Sequence, residues 1–226
     1  MERHFDEQLN ELKHLLIKMC ALAETMIGDA VKALVQRDAT ALPFIRQHEA
    51  EVNRLQVEID EACFTMIALR QPTASDLRFI LGAAKTNTDL ERLADQAVNI
   101  ANKAERLMKH DPIKPFVIIP QMTELARGMV RDSLHAYVNR QPDQAREVIQ
   151  RDRQLNALKS EIGDEMLGFM QKDPSLVPYS LDIVLVSHNL ERIGDHAKNI
   201  AENAIFVIEG KDIRHGTEFR TDLPSA

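Results

Sequence analysis

Leu90-Glu91-Arg92-Leu93-Ala94-Asp95-Gln96-Ala97-Val98-Asn99-Ile100-Ala101 is written a second time as Leu190-Glu191-Arg192-Ile193-Gly194-Asp195-His196-Ala197-Lys198-Asn199-Ile200-Ala201. The copies stand 100 residues apart and keep Leu90, Glu91, Arg92, Asp95, Ala97, Asn99, Ile100 and Ala101 unchanged. Composition alone rarely gives so dense a match, so the chain contains a duplicated unit of about 100 residues. At about 100° per residue, Leu90, Leu93, Ala97, Ile100, Ala101 and Ala104 form one apolar helical stripe, as do Leu190, Ile193, Ala197, Ile200, Ala201 and Ala204. That stripe is core. Glu91, Asp95 and Asn99 form a second stripe, repeated by Glu191, Asp195 and Asn199. Like charges at i,i+4 cost a helix a few tenths of a kcal/mol, and both copies carry that cost at the same place.

Working outward, the periodicity predicts six helices. The first runs from about Asp6 to Arg37 on Leu9, Leu12, Leu16, Met19, Ala23, Met26, Ala30 and Leu34. Asp38 to Pro43 breaks it, with Thr40 as candidate N-cap. The second runs to about Arg70 and the third from near Asp76 to near Lys109. His110-Asp111-Pro112-Ile113-Lys114-Pro115 is the junction between units. Three more helices follow, broken at Arg140 to Asp143 and at Asp173 to Pro178. Gly210 is the expected C′ glycine, with a polar tail beyond it. At an offset of 103, Met26, Asp29, Glu49, Asn53, Leu55 and Ile59 match Met129, Asp132, Asp152, Asn156, Leu158 and Ile162. The three-residue change between offsets belongs in the loops at Pro72 and Pro174. The fold class is therefore all-α, two tandem repeated three-helix bundles, with domains 1–110 and 111–226 and helices of roughly 30 residues, about 45 Å long.

Bulk properties exclude several function classes. Helix formers dominate and aromatics make up only 4%, which leaves little for strands. The net charge of -7 divides evenly between the halves, so the phosphate-neutralising patch that nucleic-acid binding needs is missing. Cys20 and Cys63 sit in apolar helical patterns, which reads as buried thiols in a reducing compartment. With no signal-like or membrane-length apolar run, the expected location is cytoplasmic, with no direct membrane insertion.

The offset also places Glu49 and Asn53 on helix two beside the third helix, and Asp152 and Asn156 on helix five beside the sixth. Four oxygen side chains per unit can then share a face, as Fe, Mn, Mg or Ca sites require; the other reading is a solvated polar seam. A di-iron carboxylate oxidase needs Glu-x-x-His on two helices, whereas Glu11-x-x-His14 has no counterpart in the repeat. His196 stands where the first copy has Gln96, so a symmetric site does not depend on it. Gly194, opposite Ala94, reads as a small packing residue. With no phosphate loop, Ser/His/Asp order or Cys-x-x-Cys, no enzyme is expected.

Gln71-Pro72-Thr73-Ala74-Ser75-Asp76-Leu77-Arg78, Asp89-Leu90-Glu91-Arg92-Leu93-Ala94-Asp95, Asn189-Leu190-Glu191-Arg192-Ile193-Gly194-Asp195 and Glu209-Gly210-Lys211-Asp212-Ile213-Arg214-His215 together resemble the PhoU phosphate-uptake regulators. The resemblance spans nearly the whole chain. It implies a usually dimeric pair of three-helix bundles without catalytic activity. It further implies a negative regulator of the phosphate-starvation response and modulator of high-affinity phosphate uptake. The implied partners are the sensor histidine kinase of the phosphate regulon, the ATPase of the phosphate ABC transporter and a second copy of the chain. Some members hold iron or another divalent or trivalent transition metal on Glu/Asp-x-x-x-Asp clusters. In this sequence those map to Glu91, Asp95, Glu191 and Asp195, with Glu49, Asn53, Asp152 and Asn156 on the partner helices. Asn53 and Asn156 carry less charge than a fully acidic set. A metal-storage or metal-sensing bundle is the alternative function, and the faces around Arg92 and Arg192 are candidate contact surfaces.

Overall fold

Each apolar-periodic run is a helix in the computed structural model, which describes residues 2–113, 116–213 and 219–220. The six are α1 (Glu2–Gln36), α2 (Leu42–Arg70), α3 (Ala74–Leu107), α4 (Ile118–Val138), α5 (Pro142–Lys172) and α6 (Val177–Glu209). Local chemistry sets the breaks. Arg37 leaves α1 with a left-handed φ of 57°, a conformation unfavourable for a residue with a Cβ. Its guanidinium offsets this by donating to the carbonyls of Met108 and His110, each at 2.7 Å, which ties the end of α1 to the end of α3. Asp38, and not Thr40, does the capping after α1: its carboxylate accepts from the Thr40 N–H at 2.9 Å. A carboxylate two residues earlier, at the cap position, meets the free N–H groups better than a hydroxyl already inside the 3-10 turn Ala39–Ala41. Pro43 then occupies the first turn of α2, where its missing donor is harmless.

Two details depart from the expected pattern. α4 has 21 residues where α1 has 35, because Pro120 in its own first turn and Pro112 before it remove donors that an earlier helical turn would need. Beyond Gly210, whose φ of 69° ends α6 as expected, Lys211–Asp212 (β1) pairs antiparallel with Phe219–Arg220 (β2). Arg214 and His215, and most of the polar tail, lie outside the described residues, as do Lys114 and Pro115 in the junction.

Within each unit all three helices pack on one another, and between units α3 packs on α6 and α1 on α4. Composition left open one large core or two small ones; a single buried apolar cluster runs through all six helices. At the seam a Cβ on Gly82 would come within 2.6 Å of Val207 and 3.0 Å of the Tyr137 hydroxyl. Tyr137 is fully buried, stacks on Phe79 with centroids 5.1 Å apart, and donates its hydroxyl to the Phe79 carbonyl. Asn203 donates to the Gly82 carbonyl at 2.8 Å and to Thr86 Oγ1 at 3.1 Å. On the other side Arg127 and Arg131 both reach Glu24, at 3.3 and 3.1 Å. Cys20 and Cys63 are free and buried, with burial pushing both thiols up to about 12.

Gly194 is a packing residue, as its match to Ala94 suggested. A methyl there would lie 2.3 Å from Leu155 Cδ2. The first repeat carries Val52 and Ala94 at the matched positions, both buried, so the second repeat has moved one carbon from α6 to α5 at constant volume. Gly194→Ala should lose about 1–3 kcal/mol to overpacking, offset by about 1 kcal/mol of helix propensity. Adding Leu155→Val rebuilds the first-repeat pair and should recover most of the loss. Urea unfolding of both variants checks this; a double variant less stable than Gly194→Ala alone would contradict it.

Candidate functional site

The repeated polar stripes project from α3 and α6 beside their hairpin partners α2 and α5. In the first repeat Glu91 is mostly buried, with its side chain 19% exposed, and Asp95 is half-buried. Arg92 lies along its own helix, 3.5 Å from each of these two carboxylates. On α2 Glu49 is half-buried and Asn53 exposed. Burial raises the Glu91 carboxyl above its ordinary range, Asp95 raises it further, and Arg92 and His196 pull it back.

The second repeat draws its acids together more closely. Asp152 on α5 is buried, and its Oδ2 accepts from Asn156 and from Lys198 Nζ, both at 3.3 Å. Its Oδ1 is buried without a hydrogen-bond partner among the described residues. Glu191 accepts from Lys159 Nζ at 2.9 Å and faces His188 Nδ1 at 3.1 Å. Asp195 is raised by burial and then by Glu191 and Asp152, against Lys198 and His196. The raised carboxyls of Glu91 and Asp195 bind a proton more tightly in the folded chain than in the unfolded one. Their contribution to stability therefore grows as pH falls and is unfavourable above their folded pKa. Each repeat thus retains the like-charge cost read from the i,i+4 spacing.

Of the eight positions named from sequence, Asp95 acts on Glu91 in the first repeat, and Asp152, Asn156, Glu191 and Asp195 act on one another in the second. Among the described residues, no three His, Cys, Asp or Glu side chains converge closely enough to hold one metal ion. The sequence reading also missed the counter-charges. Lys159 and Lys198 stand where the first repeat has Gln56 and Val98. Comparing the repeats position by position along the polar stripe, and not only where they agree, exposes both.

A cleft of about 830 Å³ lies between α3 and α6, lined by Lys85, Asp89, Arg192, Asp195, His196 and Asn203 among others. His196 Nδ1 lies 2.9 Å from Asp89 Oδ1, with both side chains largely buried, and Asn199 donates to the same oxygen at 3.3 Å. His196 thus serves the seam between repeats, which explains why a symmetric site could do without it. Its counterpart Gln96 and the counterpart of Asp89, Asn189, are both buried: where one side of the seam carries an acid and an imidazole, the other carries two amides. His196→Gln alone should cost about 1 kcal/mol by leaving a largely buried carboxylate with only the longer Asn199 bond, and adding Asp89→Asn should recover most of it. Chemical unfolding of the single and double variants measures the coupling; strictly additive effects would contradict it.

These six helices and their repeated faces match known proteins along almost their full length. A family model described as "PhoU domain" matches residues 16–104 and again 119–204. The chain is 34% identical to the phosphate-specific transport system accessory protein PhoU homolog of Pseudomonas putida, covering 95% of this chain and 84% of that protein. It is 38% identical to the one from Clostridium acetobutylicum, covering 92% and 96%. The crystal structure of PhoU from Pseudomonas aeruginosa superposes with a TM-score of 0.87 at 33% identity, covering 91% of this chain and 99% of that one. The phosphate transport system regulatory protein PhoU from Streptococcus pneumoniae gives 0.85 at 27% identity, covering 92% and 98%. Two such domains in tandem, laid over the duplicated stretch that organises the chain, make this protein a member of the PhoU family.

Proposed function

We propose that this protein is an accessory regulator of phosphate transport that acts by docking and carries out no reaction of its own. It holds the sensor histidine kinase of the phosphate regulon in its inactive or phosphatase mode when phosphate is plentiful, and it modulates uptake through the ATPase of the phosphate ABC transporter. On this reading it works in the cytoplasm, as a homodimer. The observation that carries this reading is the match of both repeats to a family whose relatives are named as phosphate-transport accessory and regulatory proteins. Among the described residues no helix is long and apolar enough to cross a membrane, so contact with membrane machinery would run through surface faces.

The surface supports docking in a specific way. Single exposed apolar side chains need no explanation, but here they recur in register with the repeat. Phe64 and its match Leu167 are 73% and 51% exposed, and Leu81 and its match Leu181 are 49% and 50% exposed. Phe64 and Leu81 lie on the α2–α3 hairpin and Leu167 and Leu181 on the α5–α6 hairpin, so each unit presents apolar groups on corresponding helices. Exposed apolar area of this kind marks protein contact sites.

Deleting the gene should switch on phosphate-starvation genes in phosphate-rich medium, and the intact gene should silence them again. A Phe64→Glu/Leu81→Glu variant that keeps its helical circular dichroism should fail to restore repression. Starvation genes that stay silent in the deletion strain would overturn the regulatory reading; full complementation by the variant would move the docking face elsewhere.

A further inference from the structure

The acidic faces of the two repeats are matched in sequence and unlike in charge. The first pairs Glu49, Glu91 and Asp95 with uncharged Gln56 and Val98 at the positions where the second has cations. The second sets Lys159 against Glu191 at 2.9 Å and Lys198 against Asp152 at 3.3 Å, with its three acids close enough for Glu191 and Asp152 to act on Asp195. These are not loose surface pairs. The Asp152 and Glu191 side chains are 10% and 14% exposed, and both lysines are about two-thirds covered. A lysine ammonium offers three donors to carboxylate oxygens and supplies within the fold the positive charge that a bound cation would bring. A metal ion approaching Asp152 and Glu191 would have to displace both ammonium groups or accept two like charges a few ångströms away, a repulsion that weakens its binding.

We propose that Lys159 and Lys198 are internal counter-ions that close the acidic face of the second repeat to metal ions. The chain therefore does not hold the matched pair of metal clusters that its duplicated Glu-x-x-x-Asp stretches suggest. The counter-ions run between α5 and α6, so they also fasten this hairpin without a ligand. The buried Oδ1 of Asp152 is the position an incoming cation would reach once the lysines are gone.

Titration of Mn2+ into the full chain, freed of metal by chelation and desalting and followed by the EPR signal of free Mn2+, tests this. In the wild type, Glu191→Gln should leave the amount of bound Mn2+ unchanged. Lys159→Gln/Lys198→Val, which installs the first-repeat residues, releases Glu191 and Asp152 from their ammonium partners so that they can turn with Asp195 onto a cation, and should gain one Mn2+ per chain, held at least about tenfold more tightly than the same face holds it in the wild type. Glu191→Gln on that background should remove the gain, and a Mn2+-dependent rise in melting temperature should come and go with it. Should the double variant lose its helical signal, Lys198→Val alone is expected to show the same gain more weakly. Loss of bound Mn2+ on Glu191→Gln in the wild type, or a folded lysine variant that takes up no more Mn2+ than the wild type, would overturn the proposal.

Discussion

The structure depends on the close approach of the two repeats at Gly82. Side chains of α4 and α6 press on α3 there, with Val207 and Tyr137 occupying the space a Cβ would take. Burying a tyrosine requires a partner for its hydroxyl, and the Phe79 carbonyl supplies it. Asn203 fixes the same stretch of α3 from the α6 side. Once these contacts form, the apolar stripes of α3 and α6 face one another and all six helices share one core. A three-helix unit of this size would leave a large apolar face in water if it stood alone; the seam is where each unit buries that face.

Duplication supplied two equal halves, and the seam and hairpins have since diverged in compensating pairs. Val52 with Ala94 became Leu155 with Gly194, which conserves volume. Asn189 with Gln96 faces Asp89 with His196, which trades an amide pair for an acid and an imidazole. Gln56 and Val98 became Lys159 and Lys198, which adds two cations to an acidic face. At the mouth of the seam Arg106 pairs with Asp182, whereas the matched positions hold Phe206 and Gly82. For Leu155 with Gly194 one substitution alone would leave a void or a clash, and for Arg106 with Asp182 an unpaired charge. The halves thus keep the same order of three helices while presenting different electrostatics.

Much of this was legible before any coordinates. The six helices followed from apolar spacing and proline breaks, because those signals are local. The tandem repeat followed from the stretches at Leu90 and Leu190. The short α4 was harder to see, since its apolar pattern continues toward prolines that deny the backbone its donors. The β1–β2 pair is two residues long and has no periodicity to read. The partners of Glu24, Asp89 and Tyr137 come from the other repeat, 58 to 110 residues away in sequence, and nothing local announces them. The charge balance of the acidic stretches is not local either: Lys159 and Lys198 reach their carboxylates across the α5–α6 hairpin, and they stand where the two repeats differ.

The proposed docking role rests on six helices around one core that expose apolar groups at matched positions of the two repeats. The most direct test combines the purified full chain with the cytoplasmic part of the sensor kinase and its response regulator, and follows phosphate on the regulator. Saturable binding to the kinase, with a fall in phosphorylated regulator as the protein is added, is the predicted result. A kinase that neither binds the protein nor changes the phosphorylation of its regulator at any concentration added would contradict the account.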